Sequence, residues 1–181
     1  PGNDDEWGVD DVLASSSSVE SPEGRIVTLG PPDDPYELLS LGWSNPTPWD
    51  TPREFPEEVL AARIDELAGQ INDMDRAIFN IHVPPHGTGL DTAAELEAGG
   101  SRLRRGGTVI ASVGSTAVRE AILRYQPMLS LHGHIHESKG SQRLGRTLSV
   151  NPGSAYADWE LHGVLVDVAA GRIVAHTPTV G

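Results

Sequence analysis

Three histidines occupy positions where strands give way to turns. His82 follows the apolar run Ala77-Ile78-Phe79-Asn80-Ile81, and His134 and His136 flank Ile135 after Gly133. A short continuous apolar run suits a buried strand, so His82 is expected at a strand's carboxyl end. Met128-Leu129-Ser130-Leu131 reads the same way and leads into Gly133-His134-Ile135-His136. In an extended turn, His-x-His spacing lets two imidazoles project toward neighbouring positions, so that two metal ions could each take one. Neutral imidazole is a common ligand for zinc, manganese, iron and nickel, and a polydentate site draws its donors from separate elements. The same residues also have a structural reading, because histidines at strand ends hydrogen-bond backbone carbonyls. Spacing alone leaves both open.

Other chemistries are easier to exclude. With no cysteine in 181 residues, disulfides, zinc-thiolate sites, iron-sulfur clusters and thiol nucleophiles are ruled out, and any metal must be held by nitrogen and oxygen. Gly87-Thr88-Gly89-Leu90-Asp91-Thr92 lacks the third glycine of a dinucleotide fingerprint, Lys139 has no phosphate-loop context, and there is no Gly-x-Ser-x-Gly nucleophile elbow. A formal net charge of −13, from 26 acidic and 13 basic residues, disfavours a nucleic-acid backbone or an anionic membrane surface as partner. An anionic substrate would need local positive charge. Lysine occurs once beside twelve arginines, a balance that fits a salt-adapted cytosol or a GC-rich genome equally. No apolar run approaches the roughly 20 residues that cross a bilayer, and Pro1-Gly2-Asn3-Asp4-Asp5 lacks the basic and apolar regions of a signal peptide, so the expected location is cytoplasmic.

The elements that must position the histidines follow from periodicity and punctuation. At 38% apolar content the chain has material for one domain. Residues 1–24 are acidic and serine-rich and read as a loop with a short helix. Residues 25–29 read as a strand, followed by a proline-rich excursion to Trp49. Thr51, Pro52 and Glu54 have capping-box spacing, and Val59, Leu60, Ile64, Leu67 and Ile71 recur at helical spacing, which predicts a helix over about 56–70. Ser115 is placed to cap a second helix whose Val118, Ala121, Ile122 and Tyr125 share one face, and Gln126-Pro127 ends it. Residues 147–150 form a strand running into Asn151-Pro152-Gly153-Ser154, and 164–168 with 172–176 form a hairpin around Gly171. This order predicts an α/β sandwich with its site at strand carboxyl ends. Trp43 and Trp49 read first as packing anchors, with walls of a substrate mouth as the alternative.

Gly133-His134-Ile135-His136 resembles the terminal Gly-His-x-His motif of the calcineurin-like metallophosphoesterase superfamily. Gly2-Asn3-Asp4 resembles its Gly-Asn-His motif, and His82 stands where the intermediate histidine is expected. His82-Val83-Pro84-Pro85 with Gly87 and Asp91, His136-Glu137-Ser138, and Asn151-Pro152-Gly153-Ser154 are similar to one prokaryotic subgroup, so the resemblance runs over nearly the whole chain. It implies that residues 1–181 are a truncated calcineurin-like phosphoesterase domain. The implied fold is the C-terminal portion of a four-layer αββα sandwich lacking its N-terminal strands. The implied ligands are Asn3, His82 and His134 for the second metal and His136 for the first. The superfamily's upstream Asp-x-His and Gly-Asp-x-x-Asp motifs have no counterpart, since no histidine has aspartate two residues before it and no Gly-Asp dipeptide occurs.

The activity implied by this resemblance is hydrolysis of a phosphomonoester or phosphodiester. Two divalent ions, manganese, iron or zinc, would hold a bridging hydroxide that attacks phosphorus. Because the bridging carboxylate and most of the first ion's ligands belong to the missing motifs, this chain alone is expected to bind metal weakly and turn over little. Asp4 is the catalytic candidate, standing where many members carry the histidine that protonates the leaving oxygen, although nearby dications favour a charged carboxylate and oppose that role. His86 lies on the loop after His82 and is a candidate substrate contact. Asp91 is expected to brace that loop, and Asn151 and Ser154 to orient ligand histidines or simply to build a turn. His132, His162 and His176 are assigned to structure. The implied partner is a phosphate-ester substrate. The alternative is a non-catalytic protein-binding scaffold, as in the retromer subunit with a similar fold; retention of His82, His134 and His136 argues against it.

Overall fold

The structure is a computed structural model and describes residues 1–94 and 110–181. In chain order its elements are α1 (Gly8–Ser15), β1 (Ile26–Leu29), β2 (Tyr36–Leu41), α2 (Glu57–Ala68), β3 (Ala77–Ile81), β4 (Thr92–Ala94), β5 (Ile110–Ser112), α3 (Thr116–Tyr125), β6 (Leu129–Leu131), β7 (Gly140–Leu144), β8 (Thr147–Asn151), β9 (His162–Ala169) and β10 (Arg172–Val180). Six of the strands form one mixed sheet in the order β1-β2-β3-β6-β8-β7. The inner four, β2, β3, β6 and β8, run parallel, and the antiparallel strands β1 and β7 close the two edges.

Period-2 alternation sends apolar side chains to both faces of this sheet, which is why its central strands read as continuous apolar runs. On one face Leu39, Leu41, Phe79 and Ile81 meet Leu60, Ile64 and Leu67 of α2 and Val118, Ala121 and Ile122 of α3 in a single core. On the other, Ile78, Leu129, Leu148 and Val150 meet Val164, Val166 and Val168 of β9 and Ile173 of β10. The chain is therefore a mixed α/β structure, with helices on one side of the sheet and a hairpin on the other. Among the described residues no helix is long and apolar enough to cross a membrane.

Packing, more than local capping, fixes the helices. Helix α2 begins after Pro56 with no side-chain cap. A missing cap costs about 1 kcal/mol, whereas each fully buried leucine or isoleucine contributes roughly 1.5–3 kcal/mol, and Leu60, Ile64 and Leu67 are all buried. Thr51 and Glu54 do hydrogen-bond to each other, but they lie ahead of the helix and organise a loop, so the expected capping box is not a cap. Helix α3 is capped as expected: Ser115 Oγ accepts from Val118 N, and Gln126 ends the helix in the left-handed region.

Four strands, β2, β4, β5 and β7, fall outside those expected from the sequence. The proline-rich excursion after residue 29 contains β2, an inner strand of the sheet, because Pro31, Pro32 and Pro35 are confined to the β1–β2 connection and leave Tyr36–Leu41 free to pair. Strand β7 is mostly exposed and polar, an edge recognisable only by its ladder with β8. The short β4–β5 ribbon was likewise unanticipated. The C-terminal hairpin forms around Gly171 as expected and is longer than expected.

Candidate functional site

Parallel strands deliver their following residues to one edge of the sheet. Beyond β3, His82 N still donates to Leu41 O; beyond β6, Gly133 N donates to His82 O and His132 N to Val150 O. The ladder thus continues one step past the strands and fixes His82 and Gly133 side by side before the loops diverge. His134 then turns back with φ +63°, its flanking groups joined by a bond from Ile135 N to Gly133 O at 2.6 Å. Asn151 holds this turn from beneath: its Nδ2 donates to Leu90, Gly133 and Ile135 carbonyls, and its Oδ1 accepts from Gly153 N. Ser154 N donates to His136 O. Asn151 and Ser154 thus act on the backbone on either side of the histidines and not on their rings, and the Asn151–Gly153 bond builds the turn that was the alternative expectation.

The segment carrying Asn3 reaches this edge from elsewhere. Arg53, fully buried, donates to the Asp5 and Glu6 carbonyls and pairs with Asp10, and its guanidinium lies 4.5 Å from the centre of the Trp7 ring. Arg53 N also donates to Asn3 O at 3.1 Å. Gly2 fits because a Cβ there would lie 2.6 Å from the His82 ring.

The result is convergence on one atom. Asn3 Oδ1 stands 3.0 Å from His82 Nε2 and 2.9 Å from His134 Nδ1. The two rings are 5.2 Å apart, centre to centre, in an edge-to-face arrangement. Burial, reinforced by neighbouring His134, pushes the His82 imidazole down to about 3, and burial pushes His134 down to about 4 against the pull of Glu54. Both rings are therefore neutral near pH 7, the form that ligates metal. Bonds of roughly 2.1 Å meeting at right angles put neighbouring donor atoms about 3 Å apart, so the observed separations fit donors to a common ion. Among the described residues no group of three or more histidine, aspartate or glutamate side chains is gathered to hold an ion; the convergent set is two imidazoles and an amide.

His136 and Asp4 lie apart from this convergence and, with Asn3, His82 and His134, line a cleft of about 1250 Å³. His136 packs edge-to-face on Tyr156 at 5.2 Å. Trp43 packs on Phe55 at 4.1 Å, as expected of an anchor, whereas Trp49 is exposed and lines the cleft. His86 is not among the residues that line this cleft, and its ring stands 3.8 Å from the buried Asp91. Asp91 braces its loop as expected, accepting from Gly87, Thr88 and Gly114 N. His132, His162 and His176 also lie outside the cleft lining.

Sequence reasoning missed the supports of Asn3. Its Nδ2 donates to Thr51 Oγ1 at 2.7 Å, and Thr51 Oγ1 donates to Glu54 Oε1 at 2.6 Å. Burial raises the Glu54 carboxyl, but bonds from the backbone and hydroxyls of Thr47 and Thr51 outweigh it and leave the group below the usual range. The Thr51–Glu54 spacing was visible; its use at a site was not.

No family model matches the chain. An uncharacterized protein of Methanocaldococcus jannaschii is 27% identical over 155 residues, covering 84% of this chain and 61% of that protein, so the chain spans about three fifths of its relative's length. The crystal structure of TT1561 of Thermus thermophilus aligns over 100% of this chain and 69% of that one, with TM-score 0.55 and 19% identity. A hypothetical protein from the same organism aligns over 97% and 72%, with TM-score 0.51 and 14% identity. These structural likenesses concern the fold.

Proposed function

We propose that the chain is part of a calcineurin-like metallophosphoesterase that hydrolyses a phosphomonoester or phosphodiester. The observation that carries this reading is the meeting of His82 Nε2 and His134 Nδ1 on Asn3 Oδ1 at the wall of a cleft, with His136 in the same wall. Asn3, His82 and His134 would hold one divalent ion and His136 would contribute to a second; manganese, iron or zinc suits such neutral nitrogen and oxygen donors. The chemistry such ions supply when bound is polarisation of phosphoryl oxygens and activation of water. The chain's own residues orient the donors, keep both half-buried imidazoles neutral and shape the cleft. Asp4, exposed on the cleft wall beside Asn3, is the candidate to meet the leaving oxygen. In this reading the sheet with its helices and the β9–β10 hairpin are parts of a four-layer αββα sandwich.

The test is hydrolysis of bis-p-nitrophenyl phosphate and p-nitrophenyl phosphate by residues 1–181, and by a longer polypeptide that supplies the upstream Asp-x-His and Gly-Asp-x-x-Asp motifs. The longer protein is expected to turn over only with divalent metal and to lose at least 100-fold on His134→Ala, with 1–181 alone far slower. Metal bound without hydrolysis in either would favour the protein-binding scaffold instead.

A further inference from the structure

We infer that Thr51 and Glu54 are positioning residues that fix which end of the Asn3 amide faces the two imidazoles. The inference rests on the metal-site reading above and adds to it the source of the amide's orientation. An asparagine side chain is nearly symmetric in shape, and turning it by half a revolution exchanges oxygen for nitrogen. Only the oxygen is a useful ligand, so a site built on Asn3 needs a device that distinguishes the two ends. Nothing about the His82 and His134 rings supplies it, since a neutral imidazole nitrogen either donates or accepts according to tautomer.

The distinction is made on the opposite side of the amide. Glu54, as a carboxylate, only accepts hydrogen bonds, and it takes four: from Thr47 N, Thr47 Oγ1, Thr51 N and Thr51 Oγ1. The Thr51 hydroxyl has a single proton, and the carboxylate claims it at 2.6 Å. What remains on Thr51 Oγ1 toward Asn3, 2.7 Å away, is a lone pair. A lone pair accepts only from the amide NH2, so the amide nitrogen turns to Thr51 and its oxygen to His82 and His134. The reversed amide would set two acceptors against each other in a part-buried contact, with no proton left to join them. The polarity of the whole chain, Glu54 to Thr51 to Asn3 to the imidazoles, is thus dictated by one carboxylate that itself touches neither imidazole. The same loop is anchored independently, through Arg53 N on Asn3 O and Arg53 on the Asp5 and Glu6 carbonyls. The backbone of Asn3 therefore stays in place when Thr51 is altered, and the amide alone is released.

Co2+ titration of residues 1–181, followed by calorimetry and by the visible d–d bands of the bound ion, tests this in the wild type and in Thr51→Val, Thr51→Ser and Glu54→Gln. Thr51→Val keeps the shape and removes the acceptor; it is expected to weaken Co2+ at least tenfold and to alter the band pattern, in line with the usual effect of removing a ligand's orienting partner. Thr51→Ser keeps the hydroxyl and is expected to restore affinity and spectrum, while Glu54→Gln falls between. Wild-type affinity and spectrum in both Thr51→Val and Glu54→Gln overturn the inference and leave the metal site standing. Equal loss in Thr51→Val and Thr51→Ser also overturns it, because that pattern reports packing. Absence of Co2+ uptake both by wild-type 1–181 and by the longer polypeptide that carries the upstream motifs sinks the metal reading and this inference together.

Discussion

At the scale of single residues, the most costly backbone conformation in the site belongs to His134. A non-glycine residue at φ +63°, spanned by a bond from Ile135 N to Gly133 O, makes a three-residue turn of the rarer, strained kind. Such conformations cost on the order of 1–3 kcal/mol and persist only when the surroundings over-determine them. Asn151 does this, binding the Gly133 and Ile135 carbonyls on either side. The strain turns the ring back toward Asn3, where a relaxed strand end would carry it onward. Glycine adopts positive φ without the Cβ penalty, so His134→Gly is expected to be about 1 kcal/mol more stable than His134→Ala in urea denaturation. Equal stabilities would mean that the turn stores no strain.

At the scale of elements, the ends of β3 and β6 must stay in register for His82 and His134 to meet, and His132 joins them. Its Nδ1 donates to Ile81 O at 2.8 Å and Val83 O at 3.1 Å, and Ser130 Oγ lies 2.6 Å from Nε2. Burial pushes this imidazole down to about 4, although the two carbonyls favour its proton. The unfolded ring titrates near 6.5. Between those values the unfolded chain binds the proton and the folded chain does not, so stability falls as pH drops from about 6.5 toward 4 and changes no further through this group below that. Between pH 7 and 5 the wild type is expected to lose roughly 2 kcal/mol more than His132→Asn in urea titrations; parallel losses would remove His132 from the account. Much of this architecture was legible in the sequence. The apolar runs before His82 and His132, the helical stripes of α2 and α3 and the Ser115 cap follow from local pattern, and so did the placement of the three cleft histidines. Strand β2 was hidden by the prolines before it, although Tyr36, Leu39 and Leu41 are all buried there. Strand β7 has no pattern of its own. Arg53 was illegible for a different reason: a charged residue is expected outside, and its full burial arises from backbone carbonyls contributed by residues nearly fifty positions away.

At the scale of the molecule, charge and site chemistry point the same way. A net charge of −13 favours cations over anions near the surface, while the convergent donors themselves are neutral. An ion held by Asn3, His82 and His134 would bring to the cleft the positive charge that a phosphate ester requires. The parallel strands bring His82 and His134 to the end of the sheet where open α/β sheets gather their ligands, and the Arg53-anchored N-terminal segment brings Asn3 to meet them. Diffraction from crystals of residues 1–181 soaked in Mn2+, with the anomalous signal of manganese, would locate the ion directly. A peak is expected within bonding distance of Asn3 Oδ1, His82 Nε2 and His134 Nδ1, absent in His134→Ala. A cleft that holds no manganese, or a peak that avoids all three atoms, would contradict the metal-site reading.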